Sequence, residues 1–315
     1  MSGPQAPPAG FAIGHWSDPS ATSGCTVVIA PPGSRGAVDV RGGGPGTRET
    51  DVIGPLAGAA ETTAVVLSGG SAYGLAAADG AMRWLEAHGR GYATPAGLVP
   101  IVPAAVVYDM AVASPGARPD AEAGRAACEA AAGGVPERGL VGAGTGTAVG
   151  KLLGREAATR SGVGYAAARA ASGEIVAALA VVNAFGDVIG PSGEVVAGPR
   201  GESGELLRTS ELLAGMESPP EWTGMRERNT TLVCVMTDAG LERAACNRVA
   251  RMASGGVARA IDPVYSDVDG DVAFCLSSGE PRADRFSAIA IGALAATVTA
   301  AAIRDGVAAA AGEPG

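Results

Sequence analysis

The 315-residue sequence has very little histidine, which occurs only at His15 and His88. A Ser-His-Asp or Cys-His triad needs an imidazole as its general base. His88 stands directly before Gly89, where a predicted helix ends, and a cation suits the C-terminus of a helix. If the chain catalyses hydrolysis, we therefore expect its general base to be a group other than histidine.

Aromatic and charged residues are also scarce, at 4% and 17% of the chain. Apolar residues reach 47%, and this balance excludes a disordered chain, which combines low hydrophobicity with high charge. A chain of this length buries roughly 75% of its unfolded surface, so its core needs no disulfide bond or structural metal to be stable. With so few aromatic rings, the core has to be built from Ala, Val, Leu, Ile and Gly, which lets backbones pack closely.

Cysteine gives no sign of a disulfide framework or of a metal site. The number of cysteines is odd, and no two of them have the CxxC spacing of a zinc ribbon or a thioredoxin motif. We expect all five to be buried free thiols in a reducing cytoplasm, and we expect no metal and no cofactor. They are Cys25, Cys128, Cys234, Cys246 and Cys275.

The charge and the N-terminal residues argue against nucleic acid and against secretion. The net charge is −9, with no run of Lys or Arg, and an acidic protein repels phosphate backbones. Residues 1–10 have neither a basic start nor an apolar centre, so we expect a disordered lead-in and not a signal peptide. Residues 11–315 are expected to form a single cytoplasmic domain.

One nearly uncharged stretch, Phe286–Ile303, reaches the lower length limit of a membrane span. It consists mostly of alanine, which contributes little to transfer into lipid. A buried core helix is therefore predicted, with no membrane contact.

Strands are predicted where apolar residues run continuously, as in Thr62–Leu67, Glu174–Phe185 and Thr230–Thr237. Such runs indicate sheets that are covered on both faces. Helical segments alternate with them, which predicts an α/β or a layered α+β fold. The segment Leu98–Tyr108 contains two prolines and is predicted to be an edge strand or an irregular one.

Two glycine-rich segments need interpretation. In Gly142–Lys151, a Walker A loop would need a glycine six residues before the lysine and a Ser or Thr directly after it. Thr145 and Leu152 occupy these two positions, so the pattern is not met. A tight turn with a close backbone approach is the favoured interpretation. For Arg41–Thr50, a simple turn and a loop that approaches a functional site remain open alternatives.

The junction Asn229–Thr230 joins a polar, proline-containing segment, Glu217–Asn229, to an abrupt apolar strand. The polar segment is predicted to be an exposed linker. Thr230 has two interpretations: an ordinary residue of a strand, or a nucleophile that cleaves the preceding peptide bond. In the second case its new α-amine, with a pKa of about 7.7–8.0, serves as the base for its own hydroxyl.

Three carboxylates alternate in the segment Ser266–Asp271, at Asp267, Asp269 and Asp271. A solvated or calcium-like loop is one interpretation, although the glycine is misplaced for an EF-hand loop. The last carboxylate leads directly into an apolar strand, where burial is costly without a partner. A cation such as Lys151 or a terminal amine would supply that partner.

Six motifs follow one another in the order found in the DmpA-type self-processing peptidases, and the sequence resembles this family from about Gly10 to Val307. The family includes β-peptidyl aminopeptidases and nylon-oligomer hydrolases. The motifs are VRGGGPGTRETD (Val40–Asp51), LSGGSAYGLAAADGAMRWL (Leu67–Leu85), GTGTAVGK (Gly144–Lys151), VVNAFGDV (Val181–Val188), NTTLVCVMTDA (Asn229–Ala239) and DGDVAFCLSSG (Asp269–Gly279).

The resemblance implies an N-terminal-nucleophile hydrolase with an α+β fold, a four-layer αββα sandwich of the type shared with ornithine acetyltransferases. It also implies cleavage between Asn229 and Thr230 into chains 1–229 and 230–315, which assemble as a homotetramer of processed pairs. The substrate would be a small amide or peptide. The implied site residues are Thr230 as nucleophile and base, Asn183 as oxyanion donor, Lys151 as a nearby charge, Tyr108 as a substrate contact, and Asp269 and Asp271 as partners of the Thr230 amine and hydroxyl.

Two departures from the family pattern affect the expected specificity. The nucleophile is Thr, as in the nylon-hydrolase branch, where aminopeptidases more often use Ser. Val106 stands where aminopeptidases carry a Glu that anchors the substrate ammonium, so a broader amide hydrolase is expected. The alternatives are an acyltransferase of the ornithine acetyltransferase type, which passes the acyl group to an amine, and an unprocessed, non-catalytic homologue.

Overall fold

The computed structural model describes residues 5–18, 22–58, 61–110, 118–218, 229–281 and 285–312. Its strands are β1 (Ala12–Ser17), β2 (Gly24–Ile29), β3 (Arg35–Val40), β4 (Thr47–Arg48), β5 (Ala64–Ser68), β6 (Tyr92–Thr94), β7 (Gly97–Val99), β8 (Ala104–Val106), β9 (Ala148–Val149), β10 (Thr159–Arg160), β11 (Val163–Arg169), β12 (Ile175–Asn183), β13 (Asp187–Ile189), β14 (Val195–Ala197), β15 (Thr230–Thr237), β16 (Ile261–Asp262) and β17 (Val272–Ser277). Its helices are α1 (Ala77–Ala87), α2 (Ala121–Glu129), α3 (Thr209–Gly215), α4 (Arg243–Val257) and α5 (Arg285–Ala310).

Two five-stranded mixed sheets form the centre of the molecule. Sheet I has the strand order β1-β2-β5-β8-β4, and sheet II has the order β11-β12-β15-β17-β3. A buried apolar cluster joins residues of both sheets, including Leu67 from sheet I with Leu232 and Phe274 from sheet II. The two sheets therefore pack face to face, because each has one apolar face directed at the other.

Helices cover the outer faces of both sheets. Helices α1 and α2 pack with β2 and β5 around a cluster that includes Val66 and Leu85. Helices α4 and α5 pack on sheet II around a second cluster, which includes Val235 and Val298. The layers are thus α, β, β and α, and the predicted α+β sandwich is confirmed.

The central strands are buried along their whole length, as the continuous apolar runs predict. Every residue of β2, β5, β15 and β17 is buried. The prediction for Leu98–Tyr108 is partly wrong, because β8 lies inside sheet I between β5 and β4. Pro100 and Pro103 both precede β8, so neither removes a hydrogen bond from within it.

Helix α5 contains the apolar stretch that reaches the length of a membrane span. Within the described residues, one such helix segment is found, Ala288–Ala310, with a mean hydropathy of 1.5 and half of its best window buried. Ile291, Ala295, Val298 and Ile303 belong to the cluster between α5 and sheet II. One side of the helix is therefore part of the core of the sandwich, as predicted.

Two segments that were predicted to lack regular structure, the N-terminal lead-in and the linker before Thr230, lie partly outside the described residues. Residues 1–4 of the lead-in and residues 219–228 of the predicted linker are among those not described. Within the described part of the lead-in, Pro7 and Pro8 are buried, and the Pro8 carbonyl accepts a hydrogen bond from the Phe11 N–H.

The contact between α1 and α2 depends on glycine. A Cβ atom on Gly80 of α1 would lie 1.7 Å from the Ala121 carbonyl oxygen of α2. We expect Gly80→Ala to lower the free energy of unfolding by about 1–3 kcal/mol, because the helices have to separate. Gly255 in α4 is exposed and has open space around its Cα, so Gly255→Ala should be neutral or stabilising by up to about 1 kcal/mol. Urea unfolding of both variants tests this, and equal effects would contradict it.

Candidate active site

Three strand ends of sheet II meet at one edge of the sandwich. Strands β15 and β17 are parallel, so their first residues lie at the same edge. Strand β12 is antiparallel to β15, and its last residue, Asn183, pairs with the first residue of β15, Thr230. Asp271 directly precedes β17. The topology therefore brings together three residues that are far apart in the sequence.

Lys151 is buried against Asn183 and lies behind this edge. Its exposed fraction is 1%, and its Nζ donates to Asn183 Oδ1 at 2.7 Å and to the Asn183 carbonyl oxygen at 3.0 Å. Asn183 Nδ2 in turn donates to the carbonyl oxygen of Tyr108, at 3.1 Å. Because Tyr108 follows β8 of sheet I, this chain of hydrogen bonds joins the two sheets at the site.

The hydroxyl of Thr230 contacts the carbonyl oxygen of the peptide bond that precedes it. Thr230 Oγ1 donates to the Asn229 carbonyl oxygen at 2.5 Å, and both residues are buried. The Gly270 N–H donates to the same carbonyl oxygen at 2.6 Å, and the Asn229 N–H donates to the Val268 carbonyl. Asn229 thus extends β15 alongside the segment that precedes β17.

The two aspartates hold the surrounding backbone. Asp271 Oδ1 accepts the Thr231 N–H at 2.6 Å, and Asp271 Oδ2 accepts the Tyr265 N–H at 3.3 Å. Asp269 accepts hydrogen bonds from the N–H groups of Phe185 and Ser266 and from the Ser266 hydroxyl. Among the described residues, neither carboxylate bonds to Thr230 itself, so their predicted contact with the Thr230 amine and hydroxyl is not seen in the joined chain.

Burial raises the pKa of both carboxyls. Burial is the main cause for Asp269, with the nearby Lys151 acting in the opposite direction. The pKa of Asp271 rises to about 8, first through burial and then through the negative charge of Asp269. Two acids this close do not ionise independently, so the pair of carboxyls takes up a proton more readily than two ordinary aspartates.

The raised pKa of Asp271 predicts a pH dependence of stability. Folded Asp271 holds a proton between its ordinary pKa of 3.8 and about 8, where the unfolded form has lost it, so stability falls as the pH rises through this window. We expect the melting temperature of Thr230→Ala, which keeps the chain joined, to fall more steeply from pH 5 to pH 8 than that of Thr230→Ala with Asp271→Asn. Parallel melting curves for the two proteins would contradict the assignment.

A cavity of about 260 Å³ opens in front of Thr230. Of the two interpretations of Arg41–Thr50, the structure favours a loop that approaches the site, since three of its residues line this cavity. The described residues that line it carry no ionisable carboxyl, amino or guanidinium group. They are Gly44, Pro45, Gly46, Ser71, Ala72, Val106, Tyr108 and Thr230.

Several of these lining residues were not predicted from the sequence. Ser71 has a positive φ of 53° and follows Gly69 and Gly70, which come directly after Ser68, the last residue of β5. The Gly70 N–H donates to buried Asp109 at 2.8 Å, and the Ser71 N–H donates to the Val107 carbonyl. The repeated glycines after β5 were the available sequence signal for a turn that brings the next residues to the cavity.

The segment Gly142–Lys151 makes close backbone contacts, as predicted. A Cβ on Gly144 would lie 2.3 Å from the Val163 nitrogen, and one on Gly146 would lie 2.2 Å from the Thr22 carbonyl oxygen. Lys151, the last residue of this segment, is thereby positioned next to Asn183. A larger cavity of about 530 Å³ lies on this segment, but it is lined by none of the six predicted site residues.

Both histidines lie away from the cavity in front of Thr230. His15 Nδ1 is 2.9 Å from Thr26 Oγ1, and burial lowers the pKa of His15 to about 4. His88 stacks on Trp84 at the end of α1. The five cysteines are buried and free, as predicted. A search of the described residues finds no cluster of three or more His, Cys, Asp or Glu side chains suited to a metal ion.

Comparison with known families identifies the sequence. The model of peptidase family S58 matches residues 9–315. The chain belongs to peptidase family S58. This S58 chain is 42% identical to an uncharacterized aminopeptidase of Mycobacterium tuberculosis, with 95% of this chain and 91% of the relative covered. It is 30% identical to the 6-aminohexanoate-oligomer endohydrolase of Paenarthrobacter ureafaciens, with 92% and 81% covered.

Solved structures give the same fold at low sequence identity. A β-aminopeptidase from a Burkholderia species superposes with a TM-score of 0.70 and 20% identity, with 94% of this chain and 84% of that chain covered. The L-aminopeptidase D-Ala-esterase/amidase of Ochrobactrum anthropi, described as a variant of the Ntn hydrolase fold, gives a TM-score of 0.69 and 18% identity, with 97% and 87% covered. The family resemblance and the Ntn-type sandwich are thus both confirmed.

Proposed function

We propose that this S58 family member is an amide-bond hydrolase that cleaves its own chain between Asn229 and Thr230 and then uses Thr230 as an N-terminal nucleophile. The observation that carries the proposal is the position of Thr230. It is the first residue of a central strand, its hydroxyl lies on the preceding carbonyl, and it faces a cavity.

The first reaction is an acyl shift within the chain. Thr230 Oγ1 attacks the Asn229 carbonyl carbon, the C–N bond breaks, and the hydroxyl proton passes to the departing nitrogen. Water then hydrolyses the ester to give the Asn229 carboxylate and a free Thr230 hydroxyl and amine. This amine takes the place of the histidine that the site lacks.

The second reaction uses the same hydroxyl on an external amide. The neutral amine accepts the hydroxyl proton as Oγ1 attacks the substrate carbonyl, and an acyl-enzyme forms while the amine product leaves with a proton. Asn183 carries two amide hydrogens, of which one is bonded to the Tyr108 carbonyl, so one remains for the oxyanion. Lys151 fixes the orientation of Asn183 and supplies a positive charge behind it. Tyr108 lines the cavity and is the proposed substrate contact.

The two aspartates are proposed to receive the ammonium form of the new terminus. In the joined chain both are buried and the pKa of each is raised, even with Lys151 near Asp269, so a further cation would stabilise their ionised forms. Cleavage creates a cationic group within one residue of the Asp271–Thr231 hydrogen bond. The proposed role of Asp269 and Asp271 is thus to stabilise and orient the terminal amine.

Labelling of the nucleophile tests the proposed hydrolase. An activated ester is chosen that acylates the enzyme faster than the acyl-enzyme is hydrolysed. It should add the mass of one acyl group to the chain that begins at Thr230, and fragmentation in the mass spectrometer should locate this group on the Thr230 side chain. A label on a different residue, with full turnover, would remove Thr230 from the role.

The described lining of the cavity has no carboxylate to anchor a free amino group beside the scissile bond, so we propose that the enzyme does not require one. We expect an aminoacyl p-nitroanilide and its N-acetyl derivative to be cleaved with kcat/KM values within about tenfold, because no carboxylate in the described lining holds an ammonium. Such a specificity would be nearer to that of the nylon-oligomer hydrolases than to that of strict aminopeptidases.

A pair of variants that differ only in charge sharpens this test. Val106→Glu places a carboxylate at the cavity wall, and we expect it to shift the ratio of kcat/KM toward the free-amine substrate by more than tenfold. Val106→Gln has the same size without the charge and should leave the ratio within about threefold of the parent. A parent enzyme that rejects the acetylated substrate outright would contradict the proposed specificity.

A further inference from the structure

The carbonyl group of Asn229 is held by a backbone donor from outside its own strand. The Gly270 N–H donates to the Asn229 oxygen at 2.6 Å, and Thr230 Oγ1 lies 2.5 Å from the same oxygen. The Asn229 N–H is bonded to Val268, so the residue before the scissile bond is fixed on both sides. These contacts are the pattern of a parallel ladder, formed at the bridge between Asn229 and Asp269.

Gly270 also has no room for a side chain. A Cβ atom there would lie 2.8 Å from Thr230 Oγ1 and 2.9 Å from the Gly44 carbonyl oxygen. The backbone of residue 270 therefore approaches the hydroxyl and the carbonyl at once. A residue that only completed the ladder would not need this closeness to the reacting oxygen of Thr230.

We propose that the Gly270 N–H is the oxyanion donor of the self-cleavage step. This inference rests on the proposed self-processing. As Oγ1 attacks the Asn229 carbon, the carbonyl π electrons move onto the Asn229 oxygen, and the Gly270 N–H bonds to the negative charge. When the C–N bond breaks, the carbonyl re-forms as an ester, and the proton from the hydroxyl goes to the Thr230 nitrogen.

Asn183 has a different contact at this stage. In the joined chain its Nδ2 donates to the Tyr108 carbonyl, and its Oδ1 accepts the Lys151 Nζ. A preformed donor already lies on the carbonyl that reacts, and such a donor is typically worth a factor of about 10²–10³ in rate. Self-cleavage thus has its own donor, supplied by the backbone between Asp269 and Asp271.

An amide-to-ester replacement removes this donor with little change of shape. Glycolic acid in place of Gly270, introduced by nonsense suppression in cell-free translation, replaces the N–H with an oxygen. We expect the half-time for the appearance of chains 1–229 and 230–315 to lengthen by about 10²–10³. The matched control is glycolic acid in place of Gly43, whose N–H donates to the Ser266 carbonyl at 3.2 Å, and we expect it to process within threefold of the parent.

The unmodified parent chain and the ester at position 43 are the two controls, and they distinguish a failure of the proposed function from a failure of this inference. If the parent chain made in the same way is not cleaved, the proposed function fails and this inference falls with it. If the parent is cleaved but both ester proteins are slowed equally, or if the ester at position 270 is not slowed, the N–H of Gly270 is not the donor. Circular dichroism and thermal unfolding of both ester proteins show whether each one is folded.

A second measurement needs no backbone replacement. In uniformly labelled Thr230→Ala, whose chain stays joined, a scalar coupling across the hydrogen bond should connect the Gly270 amide nitrogen to the Asn229 carbonyl carbon. We expect the coupling to be present in the folded protein. Its absence, in spectra that show the corresponding couplings between β12 and β15, would overturn the inference.

Discussion

Thr230→Ala is expected to run as one chain on a denaturing gel and to lose amide hydrolysis entirely. The variant lacks the oxygen that lies 2.5 Å from the Asn229 carbonyl oxygen, so no acyl shift takes place. It also lacks both the nucleophile and the free amine of the mature enzyme. Activity against an anilide substrate should fall to the background of the assay, while the wild-type protein shows two bands.

Thr230→Ser provides the matched control, because it keeps the hydroxyl and removes only a methyl group. We expect it to be processed and to retain measurable activity. If Thr230→Ala still gave two fragments that end and begin at the same residues, self-cleavage by the threonine hydroxyl would be wrong. Full activity in an uncleaved Thr230→Ala protein would contradict the proposed nucleophile.

Asn183→Ala is expected to slow amide hydrolysis by about 10²–10³, the range found when one oxyanion donor is removed. The variant also leaves the buried Lys151 without one of its acceptors, which adds a cost in stability. The effect should therefore be measured as kcat on the cleaved fraction of the protein, with that fraction determined by mass spectrometry.

Asn247→Ala is a suitable control for Asn183→Ala. Asn247 lies in α4, and its Nδ2 donates to the Val38 carbonyl at 3.1 Å, away from the cavity. We expect a small loss of stability and no more than a twofold change in kcat. A loss below about threefold in Asn183→Ala itself would remove Asn183 from the oxyanion role.

The sequence alone predicted the strands that carry the site, because their signals are strong. Strand β15 begins at Thr230 and ends at Thr237, at the limits of the β-branched apolar run. Strand β12 lies within the predicted segment Glu174–Phe185. In both cases a change from polar to apolar residues marks where the strand begins, and burial on both faces keeps the pattern uninterrupted.

Strands β1, β2, β3 and β11 were not predicted, although β2 (GCTVVI) is itself a β-branched apolar run that is buried along its whole length. Strand β11 reads VGYAAAR, and alanine and glycine have little preference for strands. A Cβ on its Gly164 would lie 1.9 Å from the Ala302 carbonyl oxygen of α5. The small residues of β11 thus serve the close packing of a helix, a tertiary demand that local propensity does not show.

The structure brings together several residues that the sequence singled out, but most of their contacts could not be predicted. Lys151, Asn183 and Tyr108 are linked as a group, and Tyr108 and Thr230 share one cavity. The contacts of the aspartates could not be predicted, because the joined chain has an amide at Thr230 where the expected partner was an amine. The roles of all six residues, the cytoplasmic location and the homotetramer of processed pairs stay predictions.

N-terminal sequencing of the purified, active wild-type protein tests the central claim most directly. We predict two sequences in equal amounts, one from the start of the chain and one that begins Thr-Thr-Leu-Val at residue 230, with intact masses that sum to the whole chain plus one water. A single sequence from the start of the chain, in material with full activity and one intact mass near 30.7 kDa, would contradict the account.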